Sequence, residues 1–474
     1  MSEISGLKQH IHQRLHDNLE LRRQQEEENL DWLKANMNPY FFLTMVEPED
    51  AVDLLVSGLD TLGLNRHLLL ADREQVLVVA GLSQAGSIYK TLTNLREKPT
   101  YAEISHSYSS LPGSDSVLEI QRYEFKPVSS HQVRNAGNVR LPRGLKSAVE
   151  QALRQLYPEF NFSKLADGLR LLAINNFDYL KISPPERLAR LLWIYQQGCK
   201  FDGLYFAVEE GVDDCAHPET RILFSVGNPP GQGFLEQVLE VFHRLKGPVS
   251  RAYCLEIATG VNPHFLGTFY LEKCNELNAD FYQQLKFELY NTQILANRGT
   301  LYRHYVTGNL TNGGDLLLIK AMVAFCHTNL AHNQPDVFDL NEVVRAFQVS
   351  PEIALALCKF FRSRFSPHLK DREAECQRLE AEVDKLIAGY NTGHRHFDEL
   401  RRTIFATARL LIHFTLKTNF FVPEKHALAF RLDPAYLEEL DSKFTADFPS
   451  GVKPFRITFF YGRYGSGYHV GFSD

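Results

Sequence analysis

None of the seven cysteines stands in a CxxC pair, and their number is odd. A thiolate metal clamp and a secreted disulfide framework both need such pairing, so the cysteines read as buried, reduced thiols of a cytoplasmic protein. No apolar run approaches the roughly 18 residues that cross a bilayer. The longest, residues 316–325, is broken by Lys320, and the polar N-terminus has no apolar signal core. The chain also lacks a basic stripe. Its 51 Lys and Arg against 57 Asp and Glu leave a net charge of −6, which argues against a nucleic-acid partner. The densest charge run, residues 22–28, mixes both signs and reads as a solvated helix face.

Chemical signatures are equally scarce. The histidine clusters His10/His12/His16, His327/His332 and His394/His396 match no zinc pattern and have no nearby carboxylate set, so no metal is expected. There is no GxSxG elbow. The glycine-rich stretch 227–233 has neither dinucleotide-fingerprint spacing nor a lysine followed by Ser or Thr.

What the 474 residues do contain is a succession of textures, enough for three or four domains. Residues 1–38 carry a helix with Leu7, Ile11, Leu15 and Leu19 four apart, which should dock on its own body or on another subunit. Residues 39–130 alternate short strands with helices: strands at 40–43, 67–70, 75–79, 99–107 and 117–125, and helices at 49–62 and 87–95. Residues 131–200 are a helical connector. Residues 201–275 return to the order β-β-α-β-β, a repeat of architecture without residue-level similarity. Residues 276–422 are a helical bundle, in which Asp339 has N-cap spacing and Ser350-Pro351 opens a helix. Residues 423–474 are strands again, with Leu428, Phe430 and Leu432 alternating and residues 462–467 read as a hairpin with a long loop. So short a closing sheet needs more partners: either it pairs back on an earlier domain or the chain is truncated. The fold class is α+β multidomain.

Two loops hold the candidate site residues. Between a strand and a helix, Gly227, Asn228, Gly231 and Gly233 read as a plain turn, or as a place where backbone amides hold a small anion. Lys417-Thr418-Asn419 follows a helix and reads as its C-terminal cap, the cation and amide meeting the last carbonyls. His469 reads as an ordinary strand residue.

The segment 416–470 resembles the approach to the catalytic domain of long-chain NAD-dependent glutamate dehydrogenases. Four stretches carry the likeness in order: Leu416-Lys417-Thr418-Asn419-Phe420-Phe421; Ala427-Leu428-Ala429-Phe430-Arg431-Leu432-Asp433-Pro434; Pro454-Phe455-Arg456-Ile457-Thr458-Phe459-Phe460-Tyr461-Gly462; and Gly467-Tyr468-His469-Val470. The resemblance implies a family reaction, oxidative deamination of glutamate to 2-oxoglutarate and ammonia with NAD. It also implies two ACT-like sandwiches in the front region, a homo-oligomer, and a small amino-acid effector, for which the glycine loop is the candidate place. Lys417, Thr418, Asn419, Arg431 and His469 occupy family-motif positions. The catalytic lysine and the NAD-binding domain of the family have no counterpart in this sequence, so no catalytic residue is assigned. At the end, Gly471-Phe472-Ser473 replaces the family's basic segment. The expected role is regulation and assembly; the alternative is a stand-alone, non-catalytic regulatory or scaffolding protein.

Overall fold

The structure, a computed structural model, describes residues 22–38, 48–62, 67–73, 75–84, 86–126, 128–200, 203–212, 218–231, 233–260, 262–272, 277–369, 372–440 and 454–472. The expected strand at 40–43, the stripe Leu7 to Leu19 and the His10/His12/His16 cluster lie outside them. The chain divides into two compact units, Met1–Tyr282 and Gln283–Asp474, with the boundary inside the helix Ala279–Asn291. Both units combine helices with antiparallel strands, an α+β architecture.

The first unit is built on one eight-stranded sheet. Its strands are β1 (Leu68–Arg73), β2 (Val76–Leu82), β3 (Tyr101–Ser110), β4 (Val117–Glu124), β5 (Leu204–Val212), β6 (Pro218–Gly227), β7 (Val249–Ile257) and β8 (His264–Glu272). Their spatial order, β1-β2-β4-β3-β7-β8-β6-β5, is two copies of one ββαββ motif joined edge to edge. The join is the antiparallel pair β3–β7, running from Tyr101 opposite Leu255 to Ser105 opposite Arg251. Read along the chain, the two motifs are separate blocks. In space each supplies the edge partner that the other's unpaired backbone requires.

Alternation along the strands decides what each face carries. On one face the first motif buries Val76, Val78, Ala80, Leu118 and Ile120 against two helices, α1 (residues 22–36) and α2 (Pro48–Leu62). Leu33 and Met37 enter this core, so α1 packs on the sheet, while its mixed-charge residues 22–28 stay largely solvated. The second motif buries Leu223, Leu255 and Leu266 on that face. They pack beneath the connector helices α4 (Leu145–Leu156), α5 (Leu165–Asn175), α6 (Phe177–Ile182) and α7 (Pro185–Lys200). Charged groups inside this layer are paired, as burial demands. Arg122 donates to Glu124 at 2.6 Å, and Arg187 donates to the Tyr253 hydroxyl at 2.9 Å with its guanidinium 3.8 Å above that ring.

The other face carries one helix from each motif, α3 (Ser87–Asn94) and α8 (Phe234–Arg244). Phe234 and Phe242 of α8 pack on Phe265 and Phe269 of β8, while Tyr89 of α3 stacks on His243 of α8. Both helices start from a glycine in left-handed conformation, Gly86 at φ 79° and Gly233 at φ 88°, neither with a side-chain cap. The motif is thus repeated down to the turn that starts its helix.

The second unit surrounds a helix that is apolar on every side. This helix, α10 (Gly313–Asn333), follows α9 (Ala279–Asn291) and buries Leu316, Leu317, Leu318, Ile319, Met322 and Phe325. Four helices complete the bundle: α11 (Leu340–Val349), α12 (Pro351–Phe365), α13 (Arg372–Ala388) and α14 (Arg395–Phe414). The Asp339 carboxylate caps α11 by accepting from the amides of Asn341 and Glu342, and Pro351 opens α12, both as the sequence indicates. A four-stranded antiparallel sheet lies against α10. Its strands are β9 (Thr415–Thr418), β10 (Leu428–Leu432), β11 (Pro454–Gly462) and β12 (Gly465–Phe472), in the order β12-β11-β10-β9. Phe430, Phe459 and Leu428 share the bundle's core, so the closing strands and the helices before them form one body. The hairpin at 462–467 is tighter than its glycines suggest. Gly462 pairs with Gly465, leaving only Arg463 and Tyr464 in the turn.

Candidate functional site

In the first unit the expected glycine loop meets a cysteine and a histidine. Helix α7 ends at Lys200, and its last turn carries Gly198 and Cys199. The chain reverses at Gly203, φ 88°, to start β5. The Gly203 amide donates to the Gly198 carbonyl at 2.6 Å, and the Gly227 amide donates to the Gly203 carbonyl at 2.6 Å. A Cβ on Gly203 would lie 2.7 Å from the Gly227 Cα, so two backbones approach here as only glycine allows. Asn228 takes a left-handed φ of 53° and donates its amide to the Pro263 carbonyl at 2.7 Å. Those contacts tie the glycine loop to the start of β8 and hence to His264.

The His264 imidazole is fixed at both nitrogens. Nδ1 lies 3.1 Å from the Asn262 carbonyl, which can only accept, so Nδ1 carries the proton. Nε2 is left as the free base, 3.8 Å from the Cys199 Sγ. The Tyr195 ring, one helical turn before Cys199, meets the imidazole edge-on at 5.1 Å. Burial lowers the His264 pKa and raises that of the Cys199 thiol, so at neutral pH the pair is an uncharged imidazole facing an uncharged thiol. Burial and then the Cys199 sulfur push the Tyr195 hydroxyl up to about 12. Below Gly198 lies the Ser225 hydroxyl, fully buried and without a hydrogen-bond partner among the described residues. Cys199 itself is exposed, unlike Cys254, Cys326 and Cys358, and so departs from the buried thiols expected of the sequence.

The rest of the loop serves the helix behind it. Gly231, φ 77°, closes a tight turn on Pro229, and Gly233 precedes α8. Glu236 in the first turn of α8 pairs with Lys98 at 2.7 Å, so a carboxylate already stands near this helix N-terminus.

A second constellation in the first unit has triad residue types in the wrong order. Glu119 Oε2 accepts from Ser87 at 2.9 Å and lies 3.0 Å from His106 Nε2, which puts the carboxylate between serine and histidine. A nucleophile relay needs the imidazole in the middle. Gln121 donates to the other Glu119 oxygen at 2.6 Å and Tyr123 donates to Gln121 at 2.8 Å, completing a buried structural network.

In the second unit the family-motif positions fall into one row. Lys417 on β9 is opposite Arg431 on β10, Arg431 is opposite Thr458 on β11, and Thr458 is opposite His469 on β12. With strands about 4.8 Å apart, the row crosses roughly 14 Å of sheet. Lys417, Arg431 and His469 are exposed, on the face turned away from the bundle core. Thr418 and Asn419 have structural partners instead. The Thr418 hydroxyl accepts from the Phe420 amide at 3.1 Å; the Asn419 side chain donates to the Ala427 carbonyl at 2.9 Å and accepts from the Ala429 amide at 2.8 Å. The expected helix cap at 417–419 is therefore absent. Helix α14 ends at Phe414, the chain extends at once into β9, and Asn419 clasps the β9–β10 connection. The nearby Lys425, almost fully buried, donates to the Val422 carbonyl at 2.9 Å and sits 4.6 Å over the Phe287 ring. Burial pulls its pKa down to about 8.

The pair Cys199–His264 and its partner Tyr195 escaped the sequence pattern because 65 residues separate thiol from imidazole. No local spacing encodes a contact between a helix end and a distant strand start. No family model matches the chain, and no curated protein matches it.

Dinucleotides such as NAD are held at the carboxyl ends of parallel strands, where a βαβ turn aims a helix N-terminus at the pyrophosphate. Every strand pairing among the described residues is antiparallel. The described residues do not fit the cofactor, and no chemical step is derived through it. They also include no helix long and apolar enough to cross a membrane.

Proposed function

We propose that this chain is the regulatory and assembly portion of an NAD-dependent glutamate dehydrogenase, acting in the cytoplasm as a homo-oligomer. The observation that carries the reading is the four-stranded sheet of the second unit. The four stretches of the resemblance are four consecutive strands of that sheet, and their motif residues Lys417, Arg431 and His469 share one row. Consecutive strands of a chain commonly pair; the sheet supports the reading by carrying the four stretches on one surface. The doubled ββαββ motif of the first unit supports the regulatory half of the proposal. A symmetric sheet of two small α+β motifs gives an amino-acid effector equivalent places to act, and the Gly227–Gly233 loop is the candidate in the second copy.

Deamination of glutamate itself, with NAD as hydride acceptor, would fall to residues outside those described. The assembly role is checked by sedimentation velocity of the purified chain. A mass several times that of the monomer, persisting at micromolar concentration, is expected; a monomer throughout the concentration range overturns the assembly role.

A further inference from the structure

The end of helix α7 brings together a nucleophile, a base and an aromatic ring packed on that base, which neither the fold nor the proposed function requires. Cys199 is solvent-exposed, His264 presents its unprotonated Nε2 to the sulfur at 3.8 Å, and the Tyr195 ring holds the imidazole edge-on at 5.1 Å. A histidine placed only for packing has no need of a fixed tautomer, yet the Asn262 carbonyl holds the proton on Nδ1. Beneath the thiol's helical turn the buried Ser225 hydroxyl stands without a partner among the described residues, a polar group left over at the edge of the same cluster. The backbones around it are rigid: Gly203 and Gly227 are in close contact and Asn228 is pinned to Pro263.

We propose that Cys199 and His264 form a thiol–imidazole pair that reacts with small disulfides, making Cys199 a site of reversible S-thiolation. The Cys199 sulfur attacks one sulfur of the disulfide along its S–S axis. A new S–S bond forms to Cys199, the reagent's own S–S bond breaks, and the departing half leaves as a thiolate. His264 Nε2 takes the proton from Cys199 and delivers it to that thiolate, which departs as a thiol. The protein thiol is oxidised and half of the disulfide is reduced, so no further oxidant is needed. A small thiol in excess runs the exchange backwards.

The pH dependence separates this pair from an ordinary exposed cysteine. The titratable groups facing the thiol are Tyr195 from α7 and His264 from β8, with Lys200 next in the chain; β5 and β6 bring Gly203 and Gly227. Cys199 is open to solvent on one side and its thiol half-buried on the other, which favours the protonated thiol, and burial keeps the imidazole neutral, so the reaction relies on the base to remove the proton as the S–S bond forms.

The test follows mixed-disulfide formation at Cys199 with oxidised glutathione, by peptide mass spectrometry, from pH 5 to pH 10. In the wild-type chain the rate should rise in two steps, the first through the His264 pKa below its ordinary value and the second through the thiol's own pKa. At pH 7, His264→Gln should slow the reaction at Cys199 by about tenfold or more, and the deficit should close at the alkaline end, where the thiolate forms unaided. A single alkaline step in the wild-type chain, which needs no variant to fold, overturns the proposal. So does an unchanged rate at pH 7 in His264→Gln.

Discussion

Glu219→Ala should lower the unfolding free energy of the chain by about 3–5 kcal/mol, the range for removing one partner of a buried ion pair. Glu219 sits on β6 among three strands of the eight-stranded sheet and is 6% exposed. Its carboxylate accepts from Arg221 at 2.9 Å and from the Arg251 guanidinium, which also lies 4.5 Å over the Tyr270 ring. Removing the carboxylate leaves two cations in a layer that water reaches poorly. Burial works against the Arg251 charge, and the Glu219 carboxylate beside it offsets that cost. Urea unfolding followed by far-ultraviolet circular dichroism measures the loss. A change below about 1 kcal/mol, the value for solvated surface pairs, would mean that water enters this layer. Replacing Glu219, Arg221 and Arg251 together with apolar residues should recover much of the stability, because the buried cations that lose their carboxylate, and not the missing bonds, are the main cost.

Phe325→Ala should be about as damaging, at about 3–5 kcal/mol for truncating a fully buried aromatic ring. Phe325 projects from α10 into the four-stranded sheet and meets Phe459 at 5.3 Å, Tyr436 at 6.2 Å and Tyr468 at 6.4 Å between ring centroids. Asn329, one turn further on, donates to the Tyr468 hydroxyl at 2.6 Å. The cavity therefore opens between helix and strands. Amide exchange should accelerate in α10 and in β10, β11 and β12 together. Unchanged protection of the strands beside a loosened helix would contradict the shared core and restore the two separate domains that the sequence pattern implies.

That contrast marks where the sequence stopped being legible. Elements governed by neighbours along the chain could be read directly. The alternation Leu428, Phe430, Leu432 is β10, Asp339 caps α11, and residues 87–95 are the helix α3 nearly to the residue. Elements governed by distant partners could not. Nothing in the alternation of β3 says that its free edge will meet β7, because hydrogen bonding between edges is made by backbone that every sequence shares. The cap reading at Lys417 and Asn419 fails for a related reason. A polar Lys-Thr-Asn after a helix has the chemistry of a cap, and only β10, ten residues on, decides that the chain extends there instead.

The candidate sites divide along the same line. The glycine loop was visible as a run of flexible residues, and its closeness to Cys199 and His264 was not. The row Lys417, Arg431, Thr458 and His469 was visible as motif positions but not as a row, since register across four strands is set by pairing and not by spacing.

The measurement that tests the functional reading most directly is glutamate-dependent NADH formation, followed by absorbance, with two purified proteins side by side. One is the 474-residue chain, and the other is the product of its own coding frame read past Asp474 to the first stop. NADH formed by the longer protein alone is the result expected of a regulatory and assembly portion of a glutamate dehydrogenase. NADH formed by the 474-residue chain would contradict that reading by placing a complete active site within it, and silence from both proteins would contradict the glutamate dehydrogenase assignment itself.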